Sequence, residues 1–312
     1  MTAESDLLDQ LRGIATDPAA RGLLDDAAVL GDLVLTHDSI AEGVHFLSDD
    51  PPASVGWKLV AVNLSDLAAK GAEPMAALLS LTMTGADGWE ESFLTGVAAA
   101  CESYGLPLVG GDTISLPSTT PRVLGLTAIG RAVAPVPSRA GARAGDRLWL
   151  AGTLGDSAAG LALLQMDAAA AGALVDVYRR PVPLLAAGRA LAPLANAMMD
   201  VSDGLLLDIS RMCRASGCGA EIDLGALPLS RAFIAERGQT RSARLFAATA
   251  GDDYALLAAL PAGVNPTATL SSPDAPTMAC IGTVTADAKL TLVDADGAVP
   301  WPERAGYEHR SF

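Results

Sequence analysis

Lysine is scarce in this chain. Lys58, Lys70 and Lys289 are the only three, and with arginine they make 21 basic residues against 36 Asp and Glu. The formal net charge is -15, so the surface repels nucleic acid, and a nucleic-acid partner is excluded. No run of eighteen apolar residues exists, so no membrane span is expected. The segment Met1 to Gln10 is acidic and lacks the apolar stretch of a signal peptide. Cys101, Cys213, Cys218 and Cys280 form no Cys-x-x-Cys pair and have no histidines spaced as co-ligands, so zinc is not expected. Reduced cysteines point to a cytoplasmic protein. Low-complexity polar tracts are missing too, which argues against disorder. Among nucleotide and hydrolase motifs, there is no G-x-x-x-x-G-K-[ST], no kinase-type glycine loop with its lysine, no His-Arg-Asp loop and no Gly-x-Ser-x-Gly elbow. Three scattered histidines do not suggest a triad.

What is present is a large apolar reserve. Half of the 312 residues are hydrophobic and the mean hydropathy is +0.33, enough for two domains. Ala27–Leu30, Gly31-Asp32 and Leu33–Thr36 read as strand, turn, strand, delivering Thr36, His37 and Asp38 at the strand end before a loop from Ser39 to Phe46. Helices are expected over Asp6–Ile14, Ser54–Lys70 (Ser54 as N-cap, Gly71 beyond the end), Trp89–Tyr104, Leu154–Gln165, Ala168–Val177, Pro183–Leu194 and Asp203–Ser216. Strands are expected at Ala76–Met83, Leu108–Val109, Val123–Arg131, Arg147–Ala151, Ala197–Asp200, Ala220–Asp223, Tyr254–Leu260, Cys280–Val284 and Leu290–Val293. Ala132 to Asp146, rich in Pro, Ala, Gly and Arg, reads as a linker. The expected organisation is therefore mixed α/β (α+β), with domains at 1–138 and 139–312.

The most informative feature is aspartate at turns and element ends. Asp25-Asp26 and Thr36-His37-Asp38 flank one hairpin, and no lysine or arginine lies between Arg21 and Lys58 to neutralise them. Asp66, Asp112, Asp200 and Asp203 recur downstream. Short carboxylates on rigid turns suit a hard dication completed by phosphate oxygens. Each has an ordinary alternative: Asp25 as turn former, Asp66 paired with Lys70, Asp203 as helix N-cap.

Most of these aspartates fall in motifs. Asp25-Asp26-Ala27-Ala28-Val29, Glu42-Gly43-Val44-His45-Phe46 and Ala61-Val62-Asn63-Leu64-Ser65-Asp66-Leu67-Ala68-Ala69 come first. Gly110-Gly111-Asp112-Thr113, Gly155-Asp156-Ser157-Ala158-Ala159-Gly160 and Asp200-Val201-Ser202-Asp203-Gly204-Leu205 follow. Gly251-Asp252-Asp253-Tyr254 and Gly306-Tyr307-Glu308-His309 complete a set of eight in register. The set resembles the thiamine-monophosphate kinases, within the aminoimidazole ribonucleotide synthetase-like superfamily, across essentially the whole chain. The resemblance implies a two-domain architecture of mixed sheets covered by helices, and dimerisation through the N-terminal domains. It implies ATP-dependent phosphorylation of thiamine monophosphate to thiamine diphosphate, with several Mg2+ ions. Carried over by motif, Asp26, Thr36, His37, Asp38, Asp66, Asp112, Asp200 and Asp203 would surround metal. Gly111, Asp112, Arg139 and Ser202 would meet ATP, and His45, Asp252 and Tyr307 would meet thiamine monophosphate. An ionised phosphate acceptor needs no strong base, and no catalytic base is assigned.

The chain departs from the family pattern at Leu24 (usually Gly), His37 (usually a hydroxyl residue), Lys70 (usually apolar), Asp252 (usually Glu) and a longer linker before Arg139. The competing readings are another ATP-dependent enzyme of the same superfamily and a degenerate protein that binds nucleotide and metal without turnover.

Overall fold

A helix that is apolar on all sides can be stable only when it is covered on all sides, and the segment following Pro51 is such a helix. In the computed structural model, which describes residues 3–85, 88–270 and 275–308, it runs Pro52–Ala69 and is buried at nearly every position from Val55 onward. The elements in chain order are α1 (Ala3–Ile14), β1 (Ala28–Leu30), β2 (Leu33–Ala41), α2 (Pro52–Ala69), β3 (Glu73–Met83), α3 (Trp89–Tyr104), β4 (Leu108–Ser115) and β5 (Val123–Arg131). Residues 132–146 carry no helix or strand. Then come β6 (Arg147–Ala151), α4 (Asp156–Met166), α5 (Ala173–Arg179), α6 (Leu185–Leu191), β7 (Ala197–Val201), α7 (Leu205–Ser216) and β8 (Gly219–Asp223). α8 (Arg231–Arg237), α9 (Arg241–Thr249), β9 (Ala255–Leu260), β10 (Met278–Thr285), β11 (Leu290–Asp294) and β12 (Gly297–Val299) complete the chain.

Two mixed sheets result. The first has the order β1-β2-β5-β3-β4, antiparallel except for β3–β4. The second has the order β12-β11-β8-β10-β6-β9-β7, antiparallel except for β8–β11. Between them lies one continuous core. It joins Leu59, Leu67, Phe93 and Leu126 to Leu185, Met198, Leu256 and Leu260, so α2 is packed against both sheets, with α3 and α6 packed on α2. The far face of the second sheet has its own core, with Leu150, Met199 and Leu257 against Leu206, Ile209, Phe233 and Ala247 of α7, α8 and α9. Covered on both faces, β9 is buried at all its positions, which explains its unbroken apolar run Ala-Leu-Leu-Ala-Ala-Leu. Glycines let the helices close on α2: a Cβ at Gly56 would lie 2.2 Å from Phe93 O, and one at Gly188 2.0 Å from Ala68 O. The outer face of the first sheet is left open, and β4 is exposed at every position.

The expected architecture and most elements are present, with local corrections. β2 continues to Ala41, so His37 and Asp38 lie inside the strand and Ser39 does not begin a loop. Ser54 does not cap α2, which starts two residues earlier after Pro51. The Ala-rich stretch is helical only from Ala173, because Gly172 adopts φ 126 and breaks it. α7 starts at Leu205 behind Gly204, so Asp203 is not its N-cap. α8, α9 and β12 were not anticipated, and β4 extends to Ser115 through the glycine pair.

Candidate active site

Carboxylates from both sheets meet along α2. The side chains of β2 alternate, so Thr36 and Asp38 face α2 while His37 faces away. The Thr36 hydroxyl donates to Asp66 Oδ2 on α2, and the Asp38 N–H donates to Asn63 Oδ1 at 2.9 Å. Between these two on α2, Ser65 Oγ donates to Asp200 Oδ2 at 2.7 Å, tying α2 to the end of β7. Asp26, Asp66 and Asp200 each bring one carboxylate oxygen to within 4.8 Å of the others. The cavity they line, about 630 Å3, also takes in Asp38, His45, Arg139, Ser157, Tyr178, Ser202, Asp203, Asp252 and Tyr307.

Charge is unevenly matched here. Asp25 receives Lys70 Nζ at 2.6 Å and Arg21 Nη1 at 2.5 Å. Burial alone would raise its pKa, but these cations outweigh burial and hold it down at about 2. Asp26 Oδ1 receives Arg139 Nε at 2.7 Å. Its Oδ2 is ion-paired with Lys70 Nζ at 2.6 Å. Deeper in, cations run out. Burial, reinforced by Asp38, Asp200 and Asp26, pushes Asp66 well above the carboxylate range. Burial and Asp26 push Asp200 up to about 8. Asp38 is raised as well, mainly by burial. At the rim, Arg211 Nη1 holds Asp203 at 2.5 Å and Asp208 at 2.8 Å, and burial still raises Asp208 to about 6.

The opposite wall is built differently. Asp252 sits at φ 68 and Tyr254 at φ 54, conformations that L residues avoid. The Asp252 carboxylate accepts from Lys58 Nζ (2.6 Å), Ser157 Oγ (2.6 Å) and Tyr254 OH (2.9 Å), and its N–H donates to Ser202 O at 2.6 Å. His45 Nδ1 accepts from the Ala41 N–H at 3.0 Å. The Tyr307 N–H donates to Asp203 O at 2.8 Å, which anchors the C-terminal segment beside α7.

Two family models match, AIR synthase related protein, N-terminal domain over residues 24–132 and C-terminal domain over residues 143–295. The thiamine-monophosphate kinase of Escherichia coli is 39% identical over 303 residues, which is 92% of this chain and 91% of that protein. The chain belongs to the thiamine-monophosphate kinase family. A solved family structure, AaThiL complexed with AMPPCP and TMP, superimposes with a TM-score of 0.82 at 31% identity, covering 97% of this chain and 96% of that one. The thiamine-monophosphate kinase of Stenotrophomonas maltophilia gives 0.76 at 35% identity, covering 92% and 94%.

Most of the residues expected from the kinase family's motifs converge: Asp26, Asp38, Asp66, Asp200, Asp203, Arg139, Ser202, His45, Asp252 and Tyr307 all line the cavity, with Thr36 bonded to Asp66 behind it. Three do not join them. The His37 imidazole lies on the opposite face of the sheet, 2.9 Å from Thr127 Oγ1 and 3.3 Å from Ser39 Oγ, so the ring is no ligand of this cluster. Gly111 and Asp112 lie on β4, outside the cavity. The registers Asp38–Leu126, Leu126–Leu79 and Leu79–Gly111 put Gly111 three strands from Asp38. That separation is about 14 Å at the usual strand spacing. Gly111 has a local reason to be glycine: at φ 155, a Cβ would lie 2.0 Å from Leu79 O. Of the tail motif, His309 lies outside the described residues. The pairing of Asp66 with Lys70 along α2 does not occur, since Lys70 turns to Asp25 and Asp26. At the start of α4, Asp156 accepts from Thr153 and Ser230, and Ser157 reaches Asp252. Lys58, Ser65, Asp208, Tyr254 and Arg211 were not foreseen. Of these, Ser65 and Tyr254 stand inside recognised motifs beside the aspartates.

The raised carboxylates set the pH response of the metal-free protein. A carboxylate whose folded pKa exceeds its ordinary value stabilises the fold fully below that value, and the contribution is lost as pH rises toward the folded pKa. For Asp200 this window runs from its ordinary 3.8 to about 8. Asp25 acts in the opposite sense, contributing above 3.8 and losing that contribution as pH falls toward 2. In EDTA the melting temperature is expected to fall steadily between pH 5 and 9, and excess Mg2+ is expected to flatten the slope. Melts followed by circular dichroism across that range check this. A metal-free melting temperature that rises toward pH 9 contradicts it.

Proposed function

We propose that this chain transfers the γ-phosphoryl group of ATP to thiamine monophosphate, giving thiamine diphosphate. The observation that carries the reading is the meeting of Asp26, from the turn before β1, and Asp66, from α2, with Asp200 of β7 at one wall of the cavity. Relatives named for this activity and the AMPPCP and TMP complex of a structural neighbour support the same reading.

The donor set fits Mg2+: hard carboxylate oxygens and a hydroxyl holding one of them. We assign Asp26, Asp38, Asp66, Asp200 and Asp203 to hold several Mg2+ ions, with Thr36 orienting Asp66 and His37 present through its main chain. Mg2+ would neutralise charge on the two phosphate groups and on the transferring group. The chain's own residues do the positioning. Arg139, freed from Asp26, and Ser202 would meet ATP. Asp252, pinned by Lys58, Ser157 and Tyr254, would meet the thiamine end with His45 and Tyr307. The acceptor oxygen is already ionised at neutral pH, so the site needs alignment and charge neutralisation more than a base. Domains divided at 138/139 and a cytoplasmic location belong to the same reading, the latter supported by cysteines that form no disulfides.

Gly111 and Asp112 fit this scheme through a homodimer. Exposed Leu78, Val109 and Ile114 accompany the open edge of β4, and an exposed apolar edge is a ready template for pairing with another chain. A second copy placed there would bring its own Gly111 and Asp112 toward the nucleotide.

A coupled assay with purified protein, ATP, Mg2+ and thiamine monophosphate is expected to yield thiamine diphosphate. Absence of product while Mg2+ and nucleotide still bind refutes the reading. Asp66→Asn is expected to lower kcat by roughly 100-fold or more, since metal-borne charge stabilisation is worth several kcal/mol. The same variant is expected to raise the metal-free melting temperature, because it removes a carboxylate from a crowded buried cluster. Light scattering should give twice the 31.7 kDa chain mass, and Val109→Glu should halve that mass and abolish turnover. A wild-type monomer with full activity rules out the shared site.

A further inference from the structure

Lys70 closes α2 and its side chain is fully buried. An ammonium group is costly to bury unless oxygens replace its water. Here three do: Asp25 Oδ1 at 2.6 Å, Asp26 Oδ2 at 2.6 Å and Met198 O at 3.1 Å. The oxygens come from the acidic turn before β1 and from β7, two residues ahead of Asp200. Two features separate this from an ordinary ion pair. Asp25 already has a cation in Arg21, and Asp26 has one in Arg139. Moreover, the Asp26 carboxylate belongs to the group with Asp66 and Asp200 whose oxygens lie within 4.8 Å of one another. The ammonium thus forms the floor of the carboxylate cluster itself, reaching it from the helix turn that follows Asp66.

We infer that Lys70 is a resident cation of the acidic cluster, permanently filling a position that a divalent ion would otherwise occupy at the Asp25–Asp26 turn. The inference rests on the reading of Asp26, Asp66 and Asp200 as a metal site. It implies that this chain takes up one divalent ion fewer per protomer than its carboxylates alone would hold. It also implies that the junction between the two sheets stays closed at this turn without metal.

The test uses Mn2+ alone, without nucleotide, counted by titration calorimetry and by loss of the free-ion EPR signal. The proteins are the wild type, Lys70→Met and Lys70→Gln; the last keeps a polar side chain but removes the charge. Each variant is expected to bind one more Mn2+ per protomer than the wild type. Each is also expected to show a larger rise in melting temperature between EDTA and Mn2+. Folding of either variant only when Mn2+ is present supports the inference equally. The same Mn2+ count in all three proteins overturns the role of Lys70 while leaving the metal site standing. Failure of both variants to fold even with Mn2+ overturns it too, because the ion then does not replace the ammonium. No Mn2+ bound by any of the three overturns the metal-site reading and this inference with it.

Discussion

The structure is governed by a shortage of cations at the junction of the two sheets. Carboxylates of Asp25, Asp26, Asp38, Asp66 and Asp200 are brought together in a place where water is mostly excluded. Arg21, Lys70 and Arg139 neutralise only the floor of the cluster. Asp25 and Asp66 show the consequence in one comparison. Both are buried, yet the first is held down at about 2 by lysine and arginine, while the second is driven upward by burial and by its fellow carboxylates. Such an arrangement is unfavourable for the isolated protein and becomes favourable when positive charge is supplied from outside. On the proposed reading, stability given up at this junction is the physical basis of a site that would gather dications and, through them, phosphorylated substrates.

The same shortage explains why α2 must be the central element. The cluster exists only where β2, the acidic turn and β7 converge, and α2 is the piece that touches all three. Thr36 bonds Asp66, Asn63 takes the Asp38 N–H, and Ser65 takes Asp200, all within two turns of one helix. Its all-round apolar surface packs against both sheets, so the polar residues among those apolar ones are carried to the junction by the packing. Fold and site are therefore a single construction here.

How much of this could be read from the chain follows from the range of each interaction. Most of the aspartates were legible because they sit in short motifs of nine residues or fewer, where local chemistry decides identity. The side of the sheet occupied by His37 was legible in principle. Period-two alternation puts it opposite Thr36 and Asp38 once the strand is run through to Ala41, but ending the strand at Thr36 concealed that. The partners of Lys70 and Arg139 were not legible, because they lie 45 and 113 residues away in sequence. The separation of Asp112 from Asp38 depends on the strand order β2-β5-β3-β4, which no local pattern reports. The short helices α8 and α9 lacked the length that makes a periodic signal readable.

The scarcity of lysine acquires a meaning at this level. Two of the three lysines are on α2 or at its end, both are buried, and each grips an aspartate brought by a loop: Lys58 holds Asp252 and Lys70 holds Asp25. They stand about 18 Å apart along the helix axis at the usual rise per residue, one at the wall assigned to the thiamine end and one at the floor assigned to metal. Lysine's long stem lets a charge start on an apolar helix face and arrive at a polar cavity edge, which a shorter side chain on the same helix could not do. Asp252 illustrates the gain. Its positive φ is unfavourable by itself, and three donors converge to hold its carboxylate in a single orientation. A carboxylate held in this way does not have to be ordered when substrate arrives, so the binding energy of a small ligand can go into alignment. On this view α2 works as a rigid ruler, with one buried ammonium setting the substrate wall and the other setting the metal floor.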